Sequence, residues 1–268
     1  MRRARVDHIA VATVALAALV AGCDGGSAAD RADRPLLTVE QEIQVGRATA
    51  PYFEKLAGGR LEMSPVQAYV RTVGERVARA APRRELPYQF AVLDSPDVRT
   101  FALPGGSVYV TRGLLAILET ESQLAAALAR EWAHTCVRDL APALGLKHGS
   151  RLLLDAADAS VSGRAARRRD ETLGRLAKAI HDHAYALETE AAADRLGLDY
   201  LVAAGYNPSG MVAFLETLAR NAAPGASVDP AGRAGRLRKI VERKYRDAGG
   251  RVADEEYRGE VLDRLTAR

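Results

Sequence analysis

The chain has 268 residues, 48% of them hydrophobic and 27% charged, a balance that suits a globular body and excludes a disordered, collagenous or multi-span membrane protein. Of its net charge of +4, Arg2, Arg3, Arg5 and Asp7 place +2 within residues 1–22 and leave +2 for the rest, so the body gives no electrostatic basis for binding nucleic acid. Aromatic residues make up only 5% while Ala, Leu, Arg and Glu dominate, which predicts a mostly helical fold with enough chain for a sizeable core.

The N-terminus reads as an address. A basic start precedes Ile9–Gly22, an uncharged apolar run of 14 residues, shorter than the about 20 that a span needs. This order is that of a secretory signal. It ends in Leu19-Val20-Ala21-Gly22-Cys23, which resembles the bacterial lipobox, so residues 1–22 are expected to be a lipoprotein signal peptide and Cys23 the lipidated residue. The bland alternative is an ordinary signal peptide with a chance cysteine. Residues 23–36 then read as a lipid-anchored flexible tether, and about twelve extended residues would reach roughly 40 Å. The expected location is the bacterial cell envelope, facing the periplasm, with inner and outer membrane both open. Cys136 is the other cysteine, so lipidation of Cys23 leaves no intramolecular disulfide to form.

In chain order, residues 38–57 and 64–81 carry apolar positions at helical spacing, the second opening on Ser64-Pro65, a favoured helix start. Tyr88–Asp94 and Ser107–Thr111 are β-rich and separated by Pro96 and Pro104-Gly105-Gly106, which predicts a small antiparallel sheet of two or three strands. Helical patterns return at 114–119 and 121–137. Arg164, Arg167, Arg168 and Arg169 then cluster beside Asp170 and Glu171, either as a solvated helix face or as a contact for lipid headgroups. Residues 170–204 form a long helical pattern, broken before Gly197 or ending at Gly205. Another helix follows Asn207-Pro208, 224–232 is a linker, and 233–247 and 253–266 are charged helices. The expected organisation is a domain over 37–222 and a C-terminal helical extension over 223–268, without internal repeats.

Arg130-Glu131-Trp132-Ala133-His134 lies within one strong helical segment and Glu190-Ala191-Ala192-Ala193-Asp194 within another. Positions 130 and 134 share one helix face, with 131 beside them. In the H-E-x-x-H helix of zinc peptidases, two histidines at this spacing hold the metal and the glutamate activates its water. Here the glutamate and second histidine are present, and Arg130 stands where the first histidine belongs.

With Phe101–Gly106, Val110–Leu115, Glu121, Leu124-Ala125, Arg195-Leu196-Gly197 and Ala204–Pro208 in the same order, these segments resemble peptidase family M48, which includes the BepA-type bacterial envelope proteases. The resemblance covers roughly residues 38–220. It implies a mainly α (α+β) fold, a gluzincin-type metallopeptidase domain with an active-site helix and a small antiparallel sheet. It implies zinc as cofactor, His134 and Glu190 as ligand positions, Glu131 as general base and Asp194 as a supporting carboxylate. It also implies a substrate edge strand over Ser107, Val108, Tyr109, Val110 and Thr111, along which a peptide adds as a strand. The implied partners are unfolded or misassembled envelope proteins or peptides, with the membrane reached through Cys23 and nucleic acid excluded.

Arg130 offers donors only and stays protonated. It removes a ligand from a three-ligand site, and a unit charge 4 Å from a divalent ion costs on the order of 8 kcal/mol at an effective dielectric of about 20. The Ser-His-Pro segment that usually follows the family's second helix pair is also absent. His181 and His183 are too far along a continuous helix to join Glu190 on one metal, Cys136 points to another side of its helix from His134, and His148 lies in an unplaced loop. The sequence therefore predicts weak or absent zinc, an Arg130–Glu190 pair, and a catalytically impaired pseudoprotease that binds or regulates envelope proteins. The alternatives are an active zinc endopeptidase with a noncanonical third ligand, or a structural lipoprotein in which the motif remnants only pack.

Overall fold

Thr38 opens the first helix, α1 (Val39–Leu56), with a reciprocal cap: its hydroxyl accepts from the Gln41 amide while the Gln41 side chain accepts from the Thr38 amide at 2.9 Å. The computed structural model describes residues 37–140, 150–158, 160, 162–221 and 229–267. The signal peptide, Cys23, the tether and His148 lie outside the described residues. After α1 come α2 (Ser64–Ala80), β1 (Gln89–Leu93), β2 (Thr100–Leu103), β3 (Ser107–Thr111), α3 (Arg112–Ile117) and α4 (Glu121–Val137). The second half is helical: α5 (Ser150–Ala157), α6 (Gly163–Asp182), α7 (Leu187–Ala203), α8 (Ser209–Arg220), α9 (Pro230–Lys244), and short turns of helix from Asp254 to Thr266.

The fold is mainly helical with one small sheet, as expected, but the sheet is mixed. Its order is β1-β3-β2, with β3 parallel to β1 and antiparallel to β2. The tight Pro104-Gly105-Gly106 turn folds β3 back on β2, and the longer connection from β1 places it on the other side of β3. Alternation then sends Val92, Ala102, Val108 and Val110 to one core, shared with α2, α4, α7 and α8. Ala91, Leu93, Phe101, Leu103 and Tyr109 face the other, shared with α1 and α6. A sheet covered on both faces explains why all five residues of β3 are buried.

Two close approaches fix the layers. A methyl group on Gly46 of α1 would lie 1.8 Å from the Pro104 carbonyl oxygen, so only glycine lets α1 meet that turn. A methyl on Gly197 of α7 would lie 3.0 Å from the backbone of Arg130, so α7 packs tightly on α4 beside the predicted site. Helix α4 is the centre of the molecule, with Leu124, Leu128 and Trp132 fully buried. Its first turn is capped by Thr120. Among the described residues, no helix is long and apolar enough to cross a membrane.

The pattern over 170–204 divides differently from expectation. The helix α6 begins at Gly163 and takes in the arginine cluster, and the chain leaves helix at His183, whose backbone is extended (φ −67°, ψ 140°). It resumes at Leu187 and ends before Gly205, whose φ of 84° suits a glycine stop.

Candidate functional site

Arg130 and Glu131 on α4 face a cleft of about 660 Å³ whose walls include Thr100 and Phe101 of β2, Tyr185, Glu190 of α7, Phe214 and Arg233. The close packing of α7 on α4 brings Glu190 and Asp194 against the same helix face. Arg130, only 11% exposed at its side chain, reaches Glu190 Oε2 through Nε at 2.9 Å and through Nη2, and Glu131 Oε1 through Nη1 at 2.8 Å. Asp194 Oδ1 lies 3.7 Å from its Nε. The predicted Arg130–Glu190 pair is present. The Thr100 hydroxyl adds a 2.6 Å hydrogen bond to Glu131 Oε1.

A second guanidinium completes the cluster. Arg233 of α9 donates to both Asp194 oxygens, at 2.7 and 2.6 Å, and lies 2.9 Å from Glu190 Oε2. The buried group thus holds two guanidinium cations against the carboxylates Glu131, Glu190 and Asp194. Burial alone would push the Glu190 carboxyl up, but Arg130 and Arg233 outweigh it and hold it below the usual carboxylate range. For Arg130, burial opposes the charge, while Glu190, Glu131 and Asp194 more than restore it, so it stays protonated.

His134, one turn further along α4, is 1% exposed. Its Nδ1 is 2.8 Å from Asp139 Oδ2, its ring stacks on Tyr185 at 4.1 Å, and its Nε2 is buried without a hydrogen-bond partner among the described residues. An imidazole oriented by a carboxylate, with the far nitrogen bare, is the arrangement of a metal-ligating histidine. His183 is nearby because α6 stops there. Its ring meets Tyr185 edge-on at 4.5 Å, its Nε2 is likewise unpartnered, and burial holds its pKa below the ordinary histidine value. The continuous helix that would have removed His183 from the site does not exist. His181 does not line the cleft; its ring stacks on Phe101. Cys136 is directed at the Pro82 carbonyl, and burial pushes its thiol up to about 11, away from thiolate character.

Zinc does not fit this arrangement. The Arg130 guanidinium occupies Glu190 and Glu131 with donors only, and among the described residues no three His, Cys, Asp or Glu side chains are grouped to hold an ion. His134 is the one ligand position that keeps a metal-ready geometry.

The expected substrate edge is corrected. Ser107–Thr111 is the central strand β3, hydrogen-bonded on both sides and buried along its length, so no peptide can add to it. The strand beside the cleft is β2. The Thr111 amide donates to the Arg99 carbonyl at 3.1 Å, so by antiparallel alternation the backbone groups of Thr100 and Ala102 face away from β3.

Thr100, His183 and Arg233 were not among the predicted site residues. Arg233 had a faint signal: it shares an inward helix face with Ala234 and Leu237, and a cation on such a face needs a buried partner.

The chain is 28% identical over 199 residues to the beta-barrel assembly-enhancing protease of Escherichia coli (strain K12), covering 68% of this chain and 38% of that protein. It is 28% identical over 190 residues to the mitochondrial metalloendopeptidase OMA1 of Schizosaccharomyces pombe, covering 66% and 53%. It is 26% identical over 134 residues to metalloprotease LoiP of E. coli (strain K12), covering 50% and 52%. The chain thus spans about two fifths to one half of the length of these curated relatives. Residues 64–251, from the start of α2 through the sheet, Arg130–His134 and Glu190–Asp194 to Arg251, match peptidase family M48, and the chain belongs to that family.

Proposed function

We propose that this chain is a metal-free pseudoprotease of the bacterial envelope, a lipoprotein anchored through Cys23. It holds extended segments of unfolded or misassembled envelope proteins along the outer edge of β2 without cutting them. The observation that carries this reading is the Arg130 guanidinium seated between Glu131 and Glu190. It neutralises the carboxylates that a metal would neutralise and leaves no third ligand beside His134. The relatives' names speak of proteases, and one of β-barrel assembly, which supports an envelope client for a chain with a lipobox-like N-terminus. The backbone groups of Thr100 and Ala102 that face away from β3, beside the cleft, are the ones a peptide adding backbone to backbone would use.

A second reading has one observation in its favour. Among the described residues the Nε2 atoms of His134 and His183 have no partner and both rings touch Tyr185, so an active zinc endopeptidase would need Arg130 to withdraw and His134, His183 and Glu190 to regroup around one ion, because they are not grouped to hold one as the fold stands. Elemental analysis of the purified chain, with hydrolysis of an unfolded protein measured with and without chelator, separates the two. The pseudoprotease reading expects far less than one zinc per chain, retained binding of the unfolded protein and no chelator-sensitive cutting. Stoichiometric zinc with chelator-sensitive cutting establishes the second.

A further inference from the structure

Helix α6 divides its side chains cleanly between core and solvent. At about 100° per residue, Thr172, Leu173, Leu176, Ala177 and Ile180 are buried, while Arg164, Arg167, Arg168, Arg175 and Lys178 are exposed on the opposite face. The carboxylates on that face are Glu171 and Asp182, and Asp182 is paired with Lys178. Arg169 leaves the cluster to pair with Asp170. Among the described residues, no ion pair holds Arg164, Arg167 or Arg168.

This arrangement works against the helix itself. The first turn of α6 carries no acidic residue, so the arginines crowd the positive end of the helix dipole. Arg164 also stands three and four residues before Arg167 and Arg168, the spacing at which like charges destabilise a helix. Glu171, four residues after Arg167 and three after Arg168, offsets part of this, but among the described residues no carboxylate forms an ion pair with Arg164, Arg167 or Arg168. A negatively charged surface outside the protein reverses the sign of both.

The geometry narrows what that surface is. Twenty residues of helix extend about 30 Å, so the cations form a strip and not a pocket for one phosphate. The helix has no Phe, Tyr or Trp on which nucleic-acid bases would stack. We infer that the exposed face of α6 is an electrostatic docking surface for anionic phospholipid headgroups, and that it lays the body against the membrane. This goes beyond peptide holding at β2 and is independent of it. Lipidation of Cys23 would place the surface within reach, and basic residues close to an anionic bilayer each contribute enough to shift partitioning severalfold.

The test compares the full-length chain with its R164E/R168E/R175E variant. Partitioning is measured onto neutral phosphatidylcholine vesicles and onto vesicles containing about one-third phosphatidylglycerol. The variant is expected to lose at least about tenfold in partitioning onto the anionic vesicles at low salt, to match the parent on neutral vesicles, and to match it everywhere near 1 M salt, where charge is screened within about 3 Å. The neutral R164Q/R168Q/R175Q variant should fall between the two and guards against a folding defect caused by the acidic side chains. Equal partitioning of parent and variants onto anionic vesicles overturns the proposal. So does a loss of the same size on neutral vesicles, or a larger loss against single-stranded nucleic acid than against lipid. Binding of the parent to neutral vesicles reads the N-terminal anchor separately, so a missing anchor and an idle α6 give different results.

Discussion

Arg130 on α4 and Glu190 on α7, sixty positions apart in sequence, meet through Nε and Oε2 at 2.9 Å where the resemblance puts two ligands of one zinc ion. One cation thus links the helices that a metal would link. The same guanidinium reaches Glu131 at 2.8 Å, so the residue at the family's general-base position is held by this cation as well. Each contact is buried, and each carboxylate depends on a cation for its charge to be tolerated.

Removing that cation should therefore be costly. Arg130→Met keeps the volume but leaves Glu131 with the Thr100 hydroxyl and Glu190 with Arg233 alone. Urea unfolding at neutral pH is expected to show a loss of about 3 kcal/mol, the usual scale for breaking one side of a buried ion pair. Adding Glu190→Gln to Arg130→Met should recover part of it, because the unpaired charge is gone. A neutral result for Arg130→Met would mean that the pair contributes nothing net.

Arg130→His asks whether the remaining site can still take metal. His134 is already oriented by Asp139, and Glu190 would lose one of its two guanidinium partners. Bound zinc is expected to rise from well below to near one per chain, and a chelator should then lower the melting temperature of the variant while leaving the parent unchanged. Zinc that stays low in the variant would show that the site has changed beyond this one position.

The helices and the shared face of Arg130 and His134 were legible because each rests on a local pattern of apolar spacing, a cap or two residues four apart, whereas the meeting of Glu190 with Arg130, sixty positions away, was implied by the family resemblance. What escaped depended on contacts made at a distance. Ser107–Thr111 has the alternation of a strand, but nothing local says whether β3 is central or peripheral. That follows from how the 94–99 connection carries the chain across the sheet. His183 was dismissed on the premise of an unbroken helix, and Ala184 through Ala186 contain no Gly or Pro to announce the break. Arg233 lies 39 residues from Asp194, and no short-range spacing connects them.

The strand correction makes its own prediction. If peptides add to β2, the Ala102 amide that faces away from β3 is one of the donors they use. Ala102→Pro removes that donor on an edge strand, where proline is tolerated. An unfolded envelope polypeptide is expected to bind at least about tenfold more weakly, in line with losing a hydrogen bond and the approach beside it. Proline placed at Val108, inside the ladder, should instead unfold the chain. Unchanged affinity in a folded Ala102→Pro protein would move the peptide site away from β2.

Acid sensitivity should be traceable to Glu121, which begins α4 and is 2% exposed. Its oxygens accept from Tyr69 at 2.6 Å, Tyr206 at 2.7 Å, Arg76 at 2.9 Å and Arg251 at 2.6 and 3.0 Å. Burial pushes its carboxyl up, but Arg251 and the two tyrosine hydroxyls prevail and hold it below the ordinary carboxylate value. Because the folded pKa is the lower one, the unfolded chain takes up the proton first as pH falls. The contribution is complete above the unfolded value near 4.5 and is lost as pH drops through the folded value. Glu121→Gln should thus be less stable than the parent at pH 7, by about 2 kcal/mol, and should show a shallower fall in melting temperature below pH 4.5, the two curves converging in acid. Parallel curves would mean that the acid limb belongs to other carboxylates and that this five-residue junction between α2, α4 and the C-terminal segment does not depend on the charge at its centre.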